Sequence, residues 1–277
     1  RYLSDSERPL ISMLAERGIA AIPLVWNDPA VDWTLFRVLI VRSVWDYHLH
    51  AEAFHLWLNE RTNQRIITWN SIPVIRNNAH KFYLRDLQSA GVSIVPTLFI
   101  PRGSTSWREQ IMTTGWQKIV VKPAVSASGY QTHTWPVTAL STVADTIQSL
   151  SDAQDMLIQE FMAVIEDPGE LSLIFLQKQF SHAVRKKPKP GDFRVQVEYG
   201  GDAVPVQPDD AIIRSAQQIL DRAGKELLYA RVDGVILNHQ FVLMELELIE
   251  PDLFLDAHPE ARNRFVDAIE EVVRRPL

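Results

Sequence analysis

Residues 229–251, YARVDGVILNHQFVLMELELIEP, read as two strands around a short polar turn, Asn238-His239-Gln240. A hairpin constrains a chain strongly, because side chains alternate along each strand and register carries that alternation across the pair. With those three residues as the loop, Leu237 stands opposite Phe241, Val235 opposite Leu243, Asp233 opposite Glu245 and Arg231 opposite Glu247. All of these share one face. The other face carries Val232, Ile236, Val242, Met244, Leu246 and Leu248, a core face. Asp233 directly opposite Glu245 is unfavourable without a cation between them. Hard oxygen ligands on a rigid platform suit Mg²⁺, which is commonly held by one or two carboxylates plus substrate phosphates. The apolar patch beside them, Leu243 included, can seat a flat ring. The plainer reading is a surface strand with exposed glutamates. A two-residue loop would shift the register by one and turn Glu245 and Glu247 away from Asp233.

The 277 residues are enough for two or three subdomains and a large core. Hydrophobic content of 46% and charged content of 22% are those of an ordinary globular protein. A net charge of −6 gives no broad attraction to nucleic acid or anionic lipid. The chain has no cysteine, which excludes disulfides, thiolate metal sites and a cysteine nucleophile, and fits a cytoplasmic protein. No apolar run is long enough to span a bilayer, so no membrane partner is expected. The oligomeric state is open, with a homo-oligomer compatible with everything above.

The chain enters directly into an amphipathic helix over Ser4–Arg17. An α/β domain ordinarily opens with a strand, so a first strand is expected upstream. Ala20–Trp26, Arg37–Val41 and Arg65–Trp69 read as strands, with a helix running from the Ser43–Tyr47 segment through Leu58. Strands alternating with helices imply a mostly parallel sheet, and ligands of such sheets bind beyond the carboxyl ends of strands. Arg42, Ser43 and Asp46 stand at such an end, as a substrate-facing rim or as a strand stop followed by a capped helix. Further on, a helix runs from the Asn77–Lys81 cap to Ala90, and Val92–Phe99 is extended. Strands follow at Lys118–Lys122, Met156–Phe161, Leu171–Phe175 and Gln177–Val184, with Lys186–Asp192 a loop and Phe193–Tyr199 extended. Helices are expected over Ser104–Thr114, Ser141–Leu150, Asp209–Ala223 and Pro259–Arg274.

The strand ending in Lys122 opens into the small-residue loop Ala-Val-Ser126-Ala-Ser128-Gly129. Such a loop lets backbone N–H groups approach phosphate oxygens while the lysine supplies charge. An ordinary turn is the alternative. The most basic stretch, His182 to Arg194, is too short a patch on an acidic chain to argue for nucleic acid. No GxSxG, HExxH or GxGxxG motif occurs.

ARVDG followed by MELELIEP resembles the metal-binding end of the ATP-grasp superfamily, whose members include D-alanine–D-alanine ligase and bacterial glutathione synthetase. The resemblance runs from about Asn77 to Phe254 through several motifs in order. It implies an ATP-grasp α/β fold: an N-terminal parallel α/β domain over residues 1–76, a small subdomain over 77–160 and a C-terminal subdomain over 161–277, the last two clamping ATP. It implies Asp233, Glu245 and Glu247 as ligands of two Mg²⁺ ions, with Glu247 standing where the family usually has Asn. It implies Lys81 and Lys122 as nucleotide-binding lysines and Ser126, Ser128 and Gly129 as a loop over the phosphates. Glu160, Phe161 and Met162 resemble the hinge that receives adenine, and Glu170 the acid that takes the ribose hydroxyls, with Glu166 a competitor. Arg194 would lead from a lid toward the transferred phosphoryl group through Gln196 and Tyr199-Gly200-Gly201, and Arg231 would stabilise its charge. Arg42 to Tyr47 also resembles the subgroup that contains the D-cycloserine-forming ligase. The implied reaction is activation of a small carboxylate by ATP as an acyl phosphate, then displacement by an amine or similar nucleophile. A RimK-like ligase acting on a protein or peptide, and a non-catalytic nucleotide-binding relative, are the alternatives.

Overall fold

The computed structural model describes residues 3–189, 194–195, 200–224 and 226–275. Three sheets organise it. Near the N-terminus, β1 (Val38–Ile40) and β2 (Ile67–Trp69) form a parallel pair, flanked by α1 (Pro9–Glu16) and α2 (Ala51–Asn63). The Ala20–Trp26 stretch, expected as a strand, joins no sheet. Two short helices follow, α3 (Ile72–Asn78) and α4 (Tyr83–Ser89), in place of the single helix expected from the Asn77–Lys81 cap.

A four-stranded antiparallel sheet has the order β3-β6-β4-β5, with β3 (Thr97–Ile100), β4 (Lys118–Pro123), β5 (His133–Pro136) and β6 (Met156–Glu160). Helices α5 (Trp107–Thr114) and α6 (Leu140–Ala153) cover one face over a core of Ile100, Ile111, Ile119, Val121, Ile147 and Ile158. The alternation of β4 is the reason: Ile119 and Val121 point to that core, and Val120 and Lys122 point away from it.

The five-stranded antiparallel sheet has the order β11-β10-β7-β8-β9, with β7 (Glu170–Leu176), β8 (Gln179–Lys187), β9 (Asp202–Val206), β10 (Tyr229–Leu237) and β11 (Gln240–Glu247). Strand β8 runs on through Lys186, a residue expected in a loop. Every residue of β7 is buried, because both faces are covered. Leu171, Leu173 and Phe175 pack under α4 and α7 (Asp210–Ala223), while Ile174 and Leu176 pack under α8 (Ala261–Arg274). At the edge of the sheet Leu243 donates its N–H to Ser93 O and accepts from Val95 N–H, each at 2.9 Å. Residues 93–95 therefore run along β11 and lead straight into β3, so the two large sheets face each other across a cleft with a fixed back wall.

The hairpin reaches the expected pairing by another route. Its turn is two residues, Asn238 and His239, both in the left-handed region that such turns require (φ 49° and 63°). That loop alone would slip the register by one. A bulge at Met244 inserts an extra residue in β11 and restores Asp233 opposite Glu245 and Arg231 opposite Glu247. Between turn and bulge the pairs are Val235–Val242 and Ile236–Phe241, which replaces the Val235–Leu243 and Leu237–Phe241 pairs of the three-residue loop. Gly234 makes the bulge feasible, since a Cβ there would lie 2.4 Å from Val242 O.

Candidate nucleotide and metal site

Four backbone anchors place the acidic strand end. Asn78 Nδ2 donates to Leu246 O (2.7 Å), and its Oδ1 accepts from Leu248 N–H (2.9 Å). Tyr83 Oη donates to Leu246 O and accepts from Leu246 N–H, both at 2.9 Å. Asn70 Nδ2 donates to Leu248 O (2.8 Å) and Tyr229 Oη to Ile249 O (2.8 Å). All four side chains are buried, so β11 and its continuation to Glu250 are held by groups that cannot turn to water instead.

The cleft encloses a cavity of ≈ 280 Å³ with a charged end and an apolar end. At the charged end Lys81 Nζ reaches Glu245 Oε1 (2.9 Å) and donates to Ser126 O (2.5 Å). Lys122 Nζ lies 3.9 Å from the other oxygen of Glu245. Arg231 grips Asp233 with Nε and Nη2 (3.0–3.1 Å), also pairs with Glu247, and donates to Asp252 O (3.1 Å). Lys186 is buried between Glu170 (2.6 Å) and Asp233 (3.5 Å), and Ser172 Oγ donates to Asp233 (2.5 Å). Lysine and arginine side chains thus flank Asp233 and Glu245 from both sides.

These neighbours set the titration. Burial pushes the Glu245 carboxyl up, but Lys81 and then Lys122 outweigh it and hold it below the usual range. For Asp233, burial is likewise outweighed by Arg231 and Lys186. Burial lowers the Lys122 ammonium against the pull of Glu245. Burial raises Glu247 to about 7 despite Arg231, and raises Glu250 to about 8, with Glu247 adding to it.

At the apolar end Val95, Val120, Met162, Ile165 and Met244 form a slot between the sheets. Phe161 lines it with its ring 3.5 Å from Lys118 Nζ. The amides of Glu160 and Phe161 are taken up by Pro96 O and Lys118 O, so neither serves the slot as a donor. Ser126, Ser128 and Gly129 line the cavity where β4 ends. Glu170 and Arg194 line it from the facing sheet and the segment beyond β8. Gln196 and Tyr199, expected beside Arg194, lie outside the described residues.

Four expected site residues are elsewhere. Leu243 is wholly buried in the core beneath the sheet, because the bulge turns it over and gives its place in the cleft to Met244. Arg42 pairs with Glu7 (2.5 Å), donates to Pro251 O (2.5 Å) and stacks on Tyr229. Ser43 Oγ donates to Glu7 (2.9 Å), and Asp46 accepts from Trp26 Nε1 (3.0 Å). These three fasten the N-terminal segment, and Trp45 and Tyr47 of the same run reach the cleft instead. Lys186, Glu250 and Trp45 are among the cleft residues that sequence reasoning passes over, as are Val95, Val120, Ile165 and Met244 of the slot. Lys186 has a signal: it follows Val184 at the two-residue spacing of a strand face.

An overlay on known structures settles the architecture. D-cycloserine synthetase DcsG superposes with a TM-score of 0.87 at 23% identity, over 96% of this chain and 94% of that one. The chain has the ATP-grasp fold. The ATP-grasp ligase PsnB, in a complex with a phosphomimetic variant of its minimal precursor, Mg and ADP, superposes with a TM-score of 0.65 at 16% identity, over 98% and 96% of the two chains. In sequence the chain is 26% identical over 278 residues to the cycloserine biosynthesis protein DcsG of Streptomyces lavendulae, covering 95% of this chain and 92% of that protein. Residues 2–70 match the family described as the N-terminal domain of D-cycloserine synthetase DcsG. Among the described residues no helix is long and apolar enough to cross a membrane.

Among the described residues no three carboxylates or imidazoles converge closely enough to cage a metal ion as they stand. The donor set still fits a cation brought in with a ligand. Asp233, Glu245 and the half-buried Glu247 line one end of the cleft, offering the hard carboxylate oxygens that suit Mg²⁺ held together with substrate phosphates.

Proposed function

We propose that the protein is an ATP-dependent, ADP-forming ligase that activates a small carboxylate as an acyl phosphate and joins it to an amine or similar nucleophile. One observation carries the reading: Lys81 and Lys122 from one side of the cleft meet Asp233, Glu245, Glu247 and Arg231 from the other, beside an apolar slot. The PsnB complex with Mg and ADP supports the choice of ligand, and the similarity to a D-cycloserine synthetase supports a small-molecule substrate over a peptide.

The adenine ring is received by the slot at Val95, Met162, Ile165 and Met244. The phosphates extend toward Lys122 and the 126–129 loop. Lys81 passes from Glu245 to a phosphate oxygen as the nucleotide enters. Asp233, Glu245 and Glu247 would hold Mg²⁺, which when bound neutralises phosphate charge and polarises the transferred group. Arg231 and Arg194 stabilise charge on the phosphoryl group in transit. A carboxylate oxygen takes the γ-phosphorus while the bond to the ADP oxygen breaks. The amine lone pair then attacks the acyl carbon, inorganic phosphate leaves with the electrons of the C–O bond, and the nitrogen gives up a proton. No side chain forms a covalent intermediate, so the protein contributes position and charge.

Phosphate release from Mg-ATP, screened over paired small carboxylates and amines, tests this. Release that needs both members of a pair is the expected result. Release triggered only by a polypeptide would make the acceptor a peptide. A chain that binds Mg-ADP yet releases no phosphate with any pair would be a nucleotide binder without turnover.

A further inference from the structure

Glu250, on the continuation of β11, lines the cleft and has no part in the mechanism above. It is 8% exposed and borders the cavity, yet its carboxylate makes no hydrogen bond or ion pair with any described residue. Its backbone is fixed: the carbonyl accepts from Trp45 Nε1 (3.0 Å), and the neighbouring Ile249 carbonyl accepts from Tyr229 Oη. The nearby cations have other partners, Arg42 on Glu7 and Pro251 O, Lys81 on Glu245 and Ser126 O. A carboxylate on a residue more than nine-tenths buried, reaching a cavity and bound to no protein group, is open to a ligand that supplies the partner.

Two aromatic side chains, Trp45 and Tyr47, line the same part of the cleft. Of the charged groups acting on the Tyr47 phenol, Glu250 is the strongest, and burial keeps that phenol protonated. Aromatic faces beside a carboxylate attract an organic ammonium. They offer little to a divalent metal, which prefers several hard oxygens, and no cage of acidic groups surrounds Glu250 among the described residues.

We propose that Glu250, with Trp45 and Tyr47, forms a subsite that binds the protonated primary amino group of a small substrate. The word substrate rests on the ligase reading; the ammonium site itself does not. It selects amino compounds over their hydroxy or acylated counterparts and holds them at the acidic end of the cleft, beyond Glu247.

Ligand-observed NMR tests it with two ammonium probes, ethanolamine and glycinamide, and their neutral isosteres, ethylene glycol and glycolamide. Titrations use the wild-type chain, Glu250→Gln and Glu250→Asp, with and without Mg-ADP, and each variant is first shown to melt cooperatively. The ammonium probes are expected to bind the wild type in preference to the isosteres, and Glu250→Gln to weaken them about tenfold, as for loss of one charge-assisted hydrogen bond. Glu250→Asp, which keeps the charge but shortens the reach, should fall between. Equal binding of neutral and charged probes, equal binding to Glu250→Gln, or no ammonium binding to the wild type would overturn the proposal. Mg-ADP binding on the same samples separates the readings: its absence counts against the ligase, while selective ammonium binding still establishes the subsite.

Discussion

Lys122 ends β4 with its ammonium buried in the cleft, where burial lowers its affinity for the proton and Glu245 restores part of it. A phosphate would stabilise that charge better than a single carboxylate at 3.9 Å. Lys122→Ala should weaken ADP binding by about 1.5–3 kcal/mol, the range for hydrogen bonds to charged groups, with little change in Tm. Glu245→Gln should lower the Tm of the ligand-free protein, since it leaves Lys81 and Lys122 facing each other. The cost should be on the order of 1–3 kcal/mol after allowing for partial exposure, read by thermal denaturation. If repulsion from Asp233 decided the outcome, as the hairpin alone suggests, the variant would be more stable instead. Glu250 gives a pH test. Its carboxyl is raised from 4.5 to about 8, so the folded chain holds a proton there that the unfolded chain releases. Its contribution to stability is full below about pH 4.5 and is lost as pH rises toward 8. Glu250→Gln should remove that slope, so its Tm should gain on the wild type between pH 5 and pH 8.5. Equal pH dependence of the two chains would contradict the burial argument.

At the scale of elements, the hairpin shows what a sequence discloses and what it conceals. Alternation and charge locate Asp233, Glu245, Glu247 and Arg231 on one face, and the structure has them there. Leu243 is misplaced by the same logic because a bulge leaves no pattern in composition: a two-residue turn plus one inserted residue gives the same carboxylate register as a three-residue turn. In the Arg42–Tyr47 run the polar residues look functional, but they are bound to Glu7, Pro251 and Trp26, and the aromatic ones face the cleft. Long-range partners such as Glu7 cannot be read from local pattern. Asn78 reads as part of a helix cap and instead links α3 to β11. Asn78→Ala should therefore cost about 1–3 kcal/mol for stranding buried backbone groups, measured by denaturant unfolding. It should also reduce ADP affinity, because Glu245 and Glu247 flank the anchored Leu246. A variant with unchanged stability would mean water replaces the amide.

At the scale of the molecule, function depends on two sheets meeting across a cleft whose back wall is the 93–95 segment on β11. The ordered motifs from Lys81 to Glu247 anticipate this architecture. The short strands β5 and β9 escape because their sequences, HTWP and DAVPV, carry proline and little alternation. The central claim is that the cleft binds a nucleotide with its metal between Lys122 and the Asp233–Glu245–Glu247 face. Calorimetric titration of ADP into the wild-type chain, with and without Mg²⁺, and into Lys122→Ala tests it most directly. The account predicts binding that Mg²⁺ strengthens and that the substitution weakens by at least about tenfold, which is about 1.4 kcal/mol. Absence of ADP binding by the folded wild-type chain at millimolar nucleotide, or binding indifferent to both Mg²⁺ and Lys122, would contradict it.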